Sequence, residues 1–188
     1  MRIFIGIELD DAVRESAAAI AASLRGHLGP RLAARWIPAD NLHITLWFVG
    51  EVAEDRAEEI LRAVRQPLGG GSFDIQITGA GAFPSSGAPR IFWLGVTSGA
   101  ERLARLHAEI AGRLRRLGLE PERRPYSAHL TIARIKEMRG RDYHRICAAL
   151  RTIAADAGTS RVRAVTVFRS RLSPKGATYE ALVRVPLG

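Results

Sequence analysis

The chain has 188 residues, 47% hydrophobic and 25% charged, the balance of a soluble globular domain and not of a disordered chain or coiled coil. Charged residues interrupt every apolar stretch, which excludes a membrane-spanning helix. A single cysteine, Cys147, excludes an internal disulfide and a cysteine-based zinc site.

Lys plus Arg number 28 against 19 Asp plus Glu, a net charge of +9, and all the cations but Lys136 and Lys175 are Arg. A GC-rich coding bias and a phosphate-bearing partner account for this equally well, because Arg forks match phosphate oxygens. The N-terminus, Met1 to Glu8, alternates and lacks a small-residue cleavage site, so no signal peptide is read and a reducing cytoplasm is the expected setting.

In chain order, residues 2–9 alternate as a strand with Ile3, Ile5 and Ile7 on one face. Asp10 and Asp11 stand where an N-cap belongs, and Val13, Ala17, Ile20, Leu24 and Leu28 predict an amphipathic helix over 11–28, ended by Gly29-Pro30. Arg35 to Pro38 reads as a short extended piece and Leu42 to Val49 as a strand. A helix follows from Asp55 to Arg65, stopped at Pro67. Phe73 to Ala82 and Arg90 to Thr97 pair around Pro84-Ser85-Ser86-Gly87, and Leu103, Leu106, Ile110, Leu114 and Leu117 mark a third helix closed by Gly118. Ala128 to Ile135 is a strand. Tyr143, Ile146, Cys147, Leu150 and Ile153 give a fourth helix, and Val162 to Leu172 with Thr178 to Val185 a closing hairpin through Ser173-Pro174-Lys175-Gly176. The mixture predicts an α+β fold of mainly antiparallel sheet in one domain, 1–188.

One small pattern occurs twice. Leu42-His43-Ile44-Thr45-Leu46 and Ala128-His129-Leu130-Thr131-Ile132 both read His, apolar, Thr, apolar, each inside a predicted strand. Side chains two apart on a strand share a face, so His43 with Thr45, and His129 with Thr131, turn one way while their apolar neighbours turn to the core. Two such copies arise by chance roughly once in a thousand sequences of this composition. One copy alone reads more readily as a buried strand histidine bonded to backbone.

The set has a chemical logic. Imidazole titrates near neutrality, so a pair can hold one ring as base and one as acid. In-line displacement at phosphorus needs entering and leaving oxygens on opposite sides, and a Thr hydroxyl can hydrogen-bond a non-bridging oxygen. A metal is the rival reading, but two histidines without a carboxylate or cysteine at ligand spacing make an incomplete set.

On these residues the chain resembles the two-histidine phosphoesterase superfamily, specifically the RNA 2',3'-cyclic phosphodiesterase or 2'-5' RNA ligase family. The likeness runs through Arg2-Ile3-Phe4-Ile5-Gly6-Ile7, Arg35-Trp36-Ile37-Pro38, Gly81-Ala82-Phe83-Pro84, Pro89 to Val96, Ala133-Arg134 and Ser170 to Pro174. It implies a bilobal fold, two pseudo-symmetric lobes with outer helices and a cleft between them. It further implies His43 as the acid that protonates a leaving 3'-oxygen, His129 as the base that activates water, a 2'-phosphomonoester product, and no metal or other cofactor. Thr45, Thr131 and Arg134 would hold the phosphate. The implied partner is RNA ending in a 2',3'-cyclic phosphate, with tRNA fragments or small cyclic nucleotides as variants. 2'-5' ligation and a non-catalytic RNA-binding module are the alternatives, and a monomer without membrane attachment is expected. The family usually carries Pro before the second histidine; here Ala128 stands there, which predicts a looser strand entry.

Taken without the resemblance, Arg134 reads more readily as a solvated strand end. Tyr126 reads as packing or as a base platform. His27, His107 and His144 read as structural or solvated, and Trp36, Trp47 and Trp93 as core or lobe contacts. Arg113, Arg115, Arg116, Arg123 and Arg124 form a basic cluster able to meet an RNA backbone, with a solvated helix end as the plainer account.

Overall fold

Ile3, Ile5 and Ile7 alternate with Phe4, Gly6 and Glu8, and that alternation builds the centre of the sheet. The computed structural model describes residues 1–85, 87–121, 124–137, 142–174 and 176–188. The elements are β1 (Arg2–Glu8), α1 (Asp11–Leu28), β2 (Ala33–Trp36), β3 (His43–Glu51), α2 (Glu54–Val64), β4 (Phe73–Phe83), β5 (Ile91–Ser98), α3 (Ala100–Arg115), β6 (His129–Glu137), α4 (Asp142–Thr152), β7 (Asp156–Val162), β8 (Ala164–Ser173) and β9 (Gly176–Pro186). The strands form one sheet in the order β7-β4-β5-β6-β3-β1-β8-β9, with β2 on β6, and these pairings are antiparallel. The expected α+β class and outer helices are present, and the two lobes are halves of one curled sheet that meet at β3 and β6.

One sheet face carries Ile3, Ile5, Ile7, Ile44, Leu130 and Ile132, all fully buried, with α1 and α3 packed on the sheet. Burying each such side chain contributes about 1.5–3 kcal/mol, and a one-residue slip would turn the whole set to water, so register is held. Helix α1 buries the stripe Val13, Ala17, Ile20, Leu24 and Leu28 and stops at Gly29, whose positive φ lets its N–H return to the Arg25 carbonyl at 2.9 Å.

Two readings change. The segment Asp156–Val162 is a separate strand on β4, and β8 begins only at Ala164. Only Ala157, Ser160 and Val162 of β7 are buried, too little apolar content to announce a strand. The short extended piece lies at Ala33–Trp36, earlier than 35–38. Ser86 and Lys175 of the two predicted turns, and Arg123 of the basic cluster, lie outside the described residues. Among the described residues no helix is long and apolar enough to cross a membrane.

Candidate active site

β3 and β6 join through the register pair Ile44 opposite Leu130. With those two turned into the core, alternation places His43, Thr45, His129 and Thr131 on the opposite, concave face. Antiparallel polarity sets His43 beside Thr131 and Thr45 beside His129, so the two pairs are related by an approximate twofold at the seam.

The same irregularity follows each threonine. β1 pairs Gly6 with Thr45 and Ile5 with Trp47, leaving Leu46 as an extra residue in β3. β5 pairs Trp93 with Thr131 and Phe92 with Ala133, leaving Ile132 extra in β6. A bulge re-aims the side chains beyond it. Strict alternation from Thr131 would send Arg134 into the core; past the bulge Ala133 is fully buried and Arg134 is exposed on the cleft face. In β3 the matching step buries Trp47 and exposes Phe48.

Both histidines are tethered alike. The Nδ1 of His43 lies 2.7 Å from the Asn41 carbonyl, and that of His129 lies 2.7 Å from the Ser127 carbonyl. A carbonyl only accepts, so each Nδ1 carries hydrogen and each Nε2 is left as the nitrogen that exchanges a proton. Ala128 immediately precedes β6, and the Ser127 tether forms without the proline of the family pattern.

His43 is backed by the Phe4 ring at 4.6 Å and by the edge of Tyr179 at 5.1 Å, and His129 by the edge of Phe83 at 5.1 Å. Burial is the main cause that lowers the His43 pKa to about 4, partly offset by the Asn41 hydrogen bond and reinforced by the charges of Arg134 and His129. His129 is lowered by burial as well, with Ser127 opposing and Arg134 adding to the shift. Arg134 therefore acts electrically on both rings.

Gly6 makes room for this. It stands between Phe4 and Glu8 on the cleft face, and a Cβ there would lie 2.7 Å from the Ile44 carbonyl oxygen and 3.6 Å from His43 Cδ2. Gly6→Ala is expected to push β1 from β3 at a cost of about 1–3 kcal/mol, read as a lowered thermal midpoint together with reduced turnover. An unchanged midpoint would show that the close approach is not needed.

The distal half of the β8–β9 hairpin arches back over His43. Asn41 Nδ2 donates to the Ala177 carbonyl at 2.7 Å, and the Arg35 guanidinium occupies the space where a side chain on Gly176 would stand. Asn41 thus holds the His43 ring with its carbonyl and the hairpin with its amide. A pocket of about 250 Å³ lies under this arch, lined by Glu8, Asn41, His43, Phe168, Tyr179 and Arg184. Glu8 faces His43 across β1 and β3 but is held as carboxylate by Arg184, at 2.6 and 2.9 Å, and by Thr166 at 2.9 Å. A larger hollow of about 590 Å³ near the start of α3 contains neither histidine.

The remaining expectations resolve in different ways. Tyr126 stacks on His107 at 4.4 Å, which in turn stacks on Trp47 at 5.6 Å, and the Tyr126 hydroxyl is buried; this is packing. Burial lowers the His107 pKa. Trp36 lies 6.1 Å from the buried Phe92 ring, and Trp93 pairs with Thr131 and packs on Phe83. Arg113 is withdrawn from the basic cluster, because its guanidinium donates to the carbonyls of Gln66 at 2.7 Å and Pro67 at 2.6 Å and to Glu109 at 2.5 Å, closing the end of α2. His27 bonds the Ser23 carbonyl on its own helix, and the His144 ring meets Tyr143 edge-on. Asn41, Gly6, Phe4 and Tyr179 were given no role by sequence reasoning. A helper two residues before a histidine or across a strand leaves no spacing signal.

In its curled antiparallel sheet and paired His-x-Thr strands the chain has the framework of the two-histidine phosphoesterase class. Residues 10–173 match the 2'-5' RNA ligase superfamily, and the chain belongs to it. An RNA 2',3'-cyclic phosphodiesterase of Archaeoglobus fulgidus is 36% identical over 187 residues, 97% of this chain and 98% of that one. Its namesake from Methanothermobacter thermautotrophicus is 33% identical over 95% of both. The crystal structure of Escherichia coli LigT complexed with 3'-AMP matches with a TM-score of 0.74 at 27% identity, covering 99% of this chain and 97% of that one.

Proposed function

We propose that this protein opens terminal 2',3'-cyclic phosphates on RNA by acid–base catalysis with two imidazoles and without a metal, giving a 2'-phosphomonoester. The observation that carries the proposal is the pair of twofold-related His–Thr strands with both Nδ1 atoms committed to carbonyls. Two proton-exchanging Nε2 atoms then flank a place for one phosphate.

In this reading His129 takes a proton from water as its oxygen bonds to phosphorus, and His43 gives a proton to the 3'-oxygen as the P–O3' bond breaks. Thr45 and Thr131 donate to the non-bridging oxygens, and Arg134 meets the charge that grows on them. A 5'-hydroxyl in the place of water would yield a 2'-5' linkage with the same groups, in keeping with the superfamily's name. The named activity of the relatives and the 3'-AMP complex of a solved one support a site for a ribose phosphate end.

The test is an RNA oligomer ending in a 2',3'-cyclic phosphate, incubated with the protein in EDTA and followed by phosphorus NMR, with joined oligomers sought on a gel. A 2'-phosphate is expected. Salt-sensitive binding with the ring left closed would instead make the chain an RNA-binding module.

A further inference from the structure

Phe48 is 47% exposed although it sits in the middle of a central strand. Its direct partner across β1 is Phe4, and directly opposed residues share a sheet face. Phe4 packs on the His43 ring, so Phe48 lies on the cleft face. It occupies the place in β3 that Arg134 occupies in β6: each is three residues past the threonine, turned outward by the bulge at Leu46 or Ile132. The approximate twofold therefore puts a guanidinium at one end of the cleft and a flat apolar ring at the other. The Arg2 guanidinium lies over the Phe48 ring, 5.1 Å from its centre, so one face of the ring already carries a cation and a base would take the other or be sandwiched with it.

We infer that Phe48 is a stacking platform for an unpaired nucleobase, that of the nucleotide joined to the one bearing the cyclic phosphate. This rests on the phosphodiesterase reading and adds where on the cleft the base of the adjoining nucleotide is held. Three residues of strand span at most about 10 Å, so the ring lies within one nucleotide's reach of a phosphate held between Thr45 and Thr131. An aromatic face accepts any base and excludes water from it, whereas a protein partner would find a single ring flanked by a cation. Arg2 is placed to meet the backbone phosphate of the same nucleotide.

The experiment compares, by calorimetry, the affinity for a four-nucleotide RNA ending in a 3'-phosphate with that for the mononucleotide 3'-phosphate, in wild type, Phe48→Ala, Phe48→Leu and Phe48→Trp. The ratio of the two affinities removes effects common to both ligands. Phe48→Ala and Phe48→Leu are expected to cut wild type's preference for the oligomer by about tenfold, and Phe48→Trp to retain it. An unchanged ratio in Phe48→Ala, a ratio retained by Phe48→Leu, or a wild type with no preference for the oligomer would each overturn the inference. Because binding is read without turnover, failure to open a cyclic phosphate in the separate NMR assay overturns the phosphodiesterase reading and leaves this result distinct.

Discussion

His129→Ala and His43→Gln are each expected to lower kcat on a cyclic-phosphate RNA by about 10²–10⁴-fold, with the circular dichroism spectrum unchanged. The gentler substitution suits His43, because Phe4 and Tyr179 pack against its ring and truncation there would leave a cavity. The double variant should be little worse than either single one. Acid and base serve one transition state, and removing either forfeits most of the benefit of the other. The threonines and Arg134 would then sustain a residual rate by holding the phosphate. Single variants within tenfold of wild type would sink the two-imidazole mechanism. A double variant as weak as the product of the two singles would show that the histidines contribute to the transition state independently and not as a coupled pair.

Much of this was legible in the sequence because it depends on short-range patterns. The His-x-Thr pairs show both the facing direction and the chemistry, and α1 is written in its apolar stripe. What was not legible is where the strand period breaks. Nothing in Thr45-Leu46-Trp47-Phe48 or in Thr131-Ile132-Ala133-Arg134 announces an extra residue, since Leu46 and Ile132 are ordinary core residues. Yet the bulges decide that Arg134 and Phe48 face the cleft. Counting by two from Thr131 hides Arg134 in the core, and only the likeness to a family brought it forward. The arch of β8–β9 over His43 was hidden for another reason. It depends on Asn41 meeting Ala177, 136 positions later, and such a contact has no local signature. Phe48 looked like any other apolar residue of a strong strand until its partner was known to be Phe4.

The pH dependence of kcat/KM should be a bell whose maximum lies on the acid side of neutrality. This quantity reports the free enzyme, where burial and Arg134 hold His43 at about 4 and His129 below its ordinary 6.5. The working form carries one proton between the two rings. Above both values the pair is fully deprotonated and kcat/KM falls about tenfold per pH unit; below both it is doubly protonated and falls again. With both rings depressed, the optimum lies on the acid side of 6.5. The bell belongs to the pair and is the same whichever ring serves as acid. A bound anionic phosphate favours protonating both rings, so the kcat profile should sit at higher pH than that of kcat/KM. Arg134→Gln removes a cation that depresses both histidines, and should move the alkaline limb of kcat/KM upward while lowering its height. A profile flat from pH 5 to 9, as roughly spans ordinary imidazole titration, would contradict the mechanism. An alkaline limb that stays put in Arg134→Gln would remove Arg134 from the electrostatics of the pair.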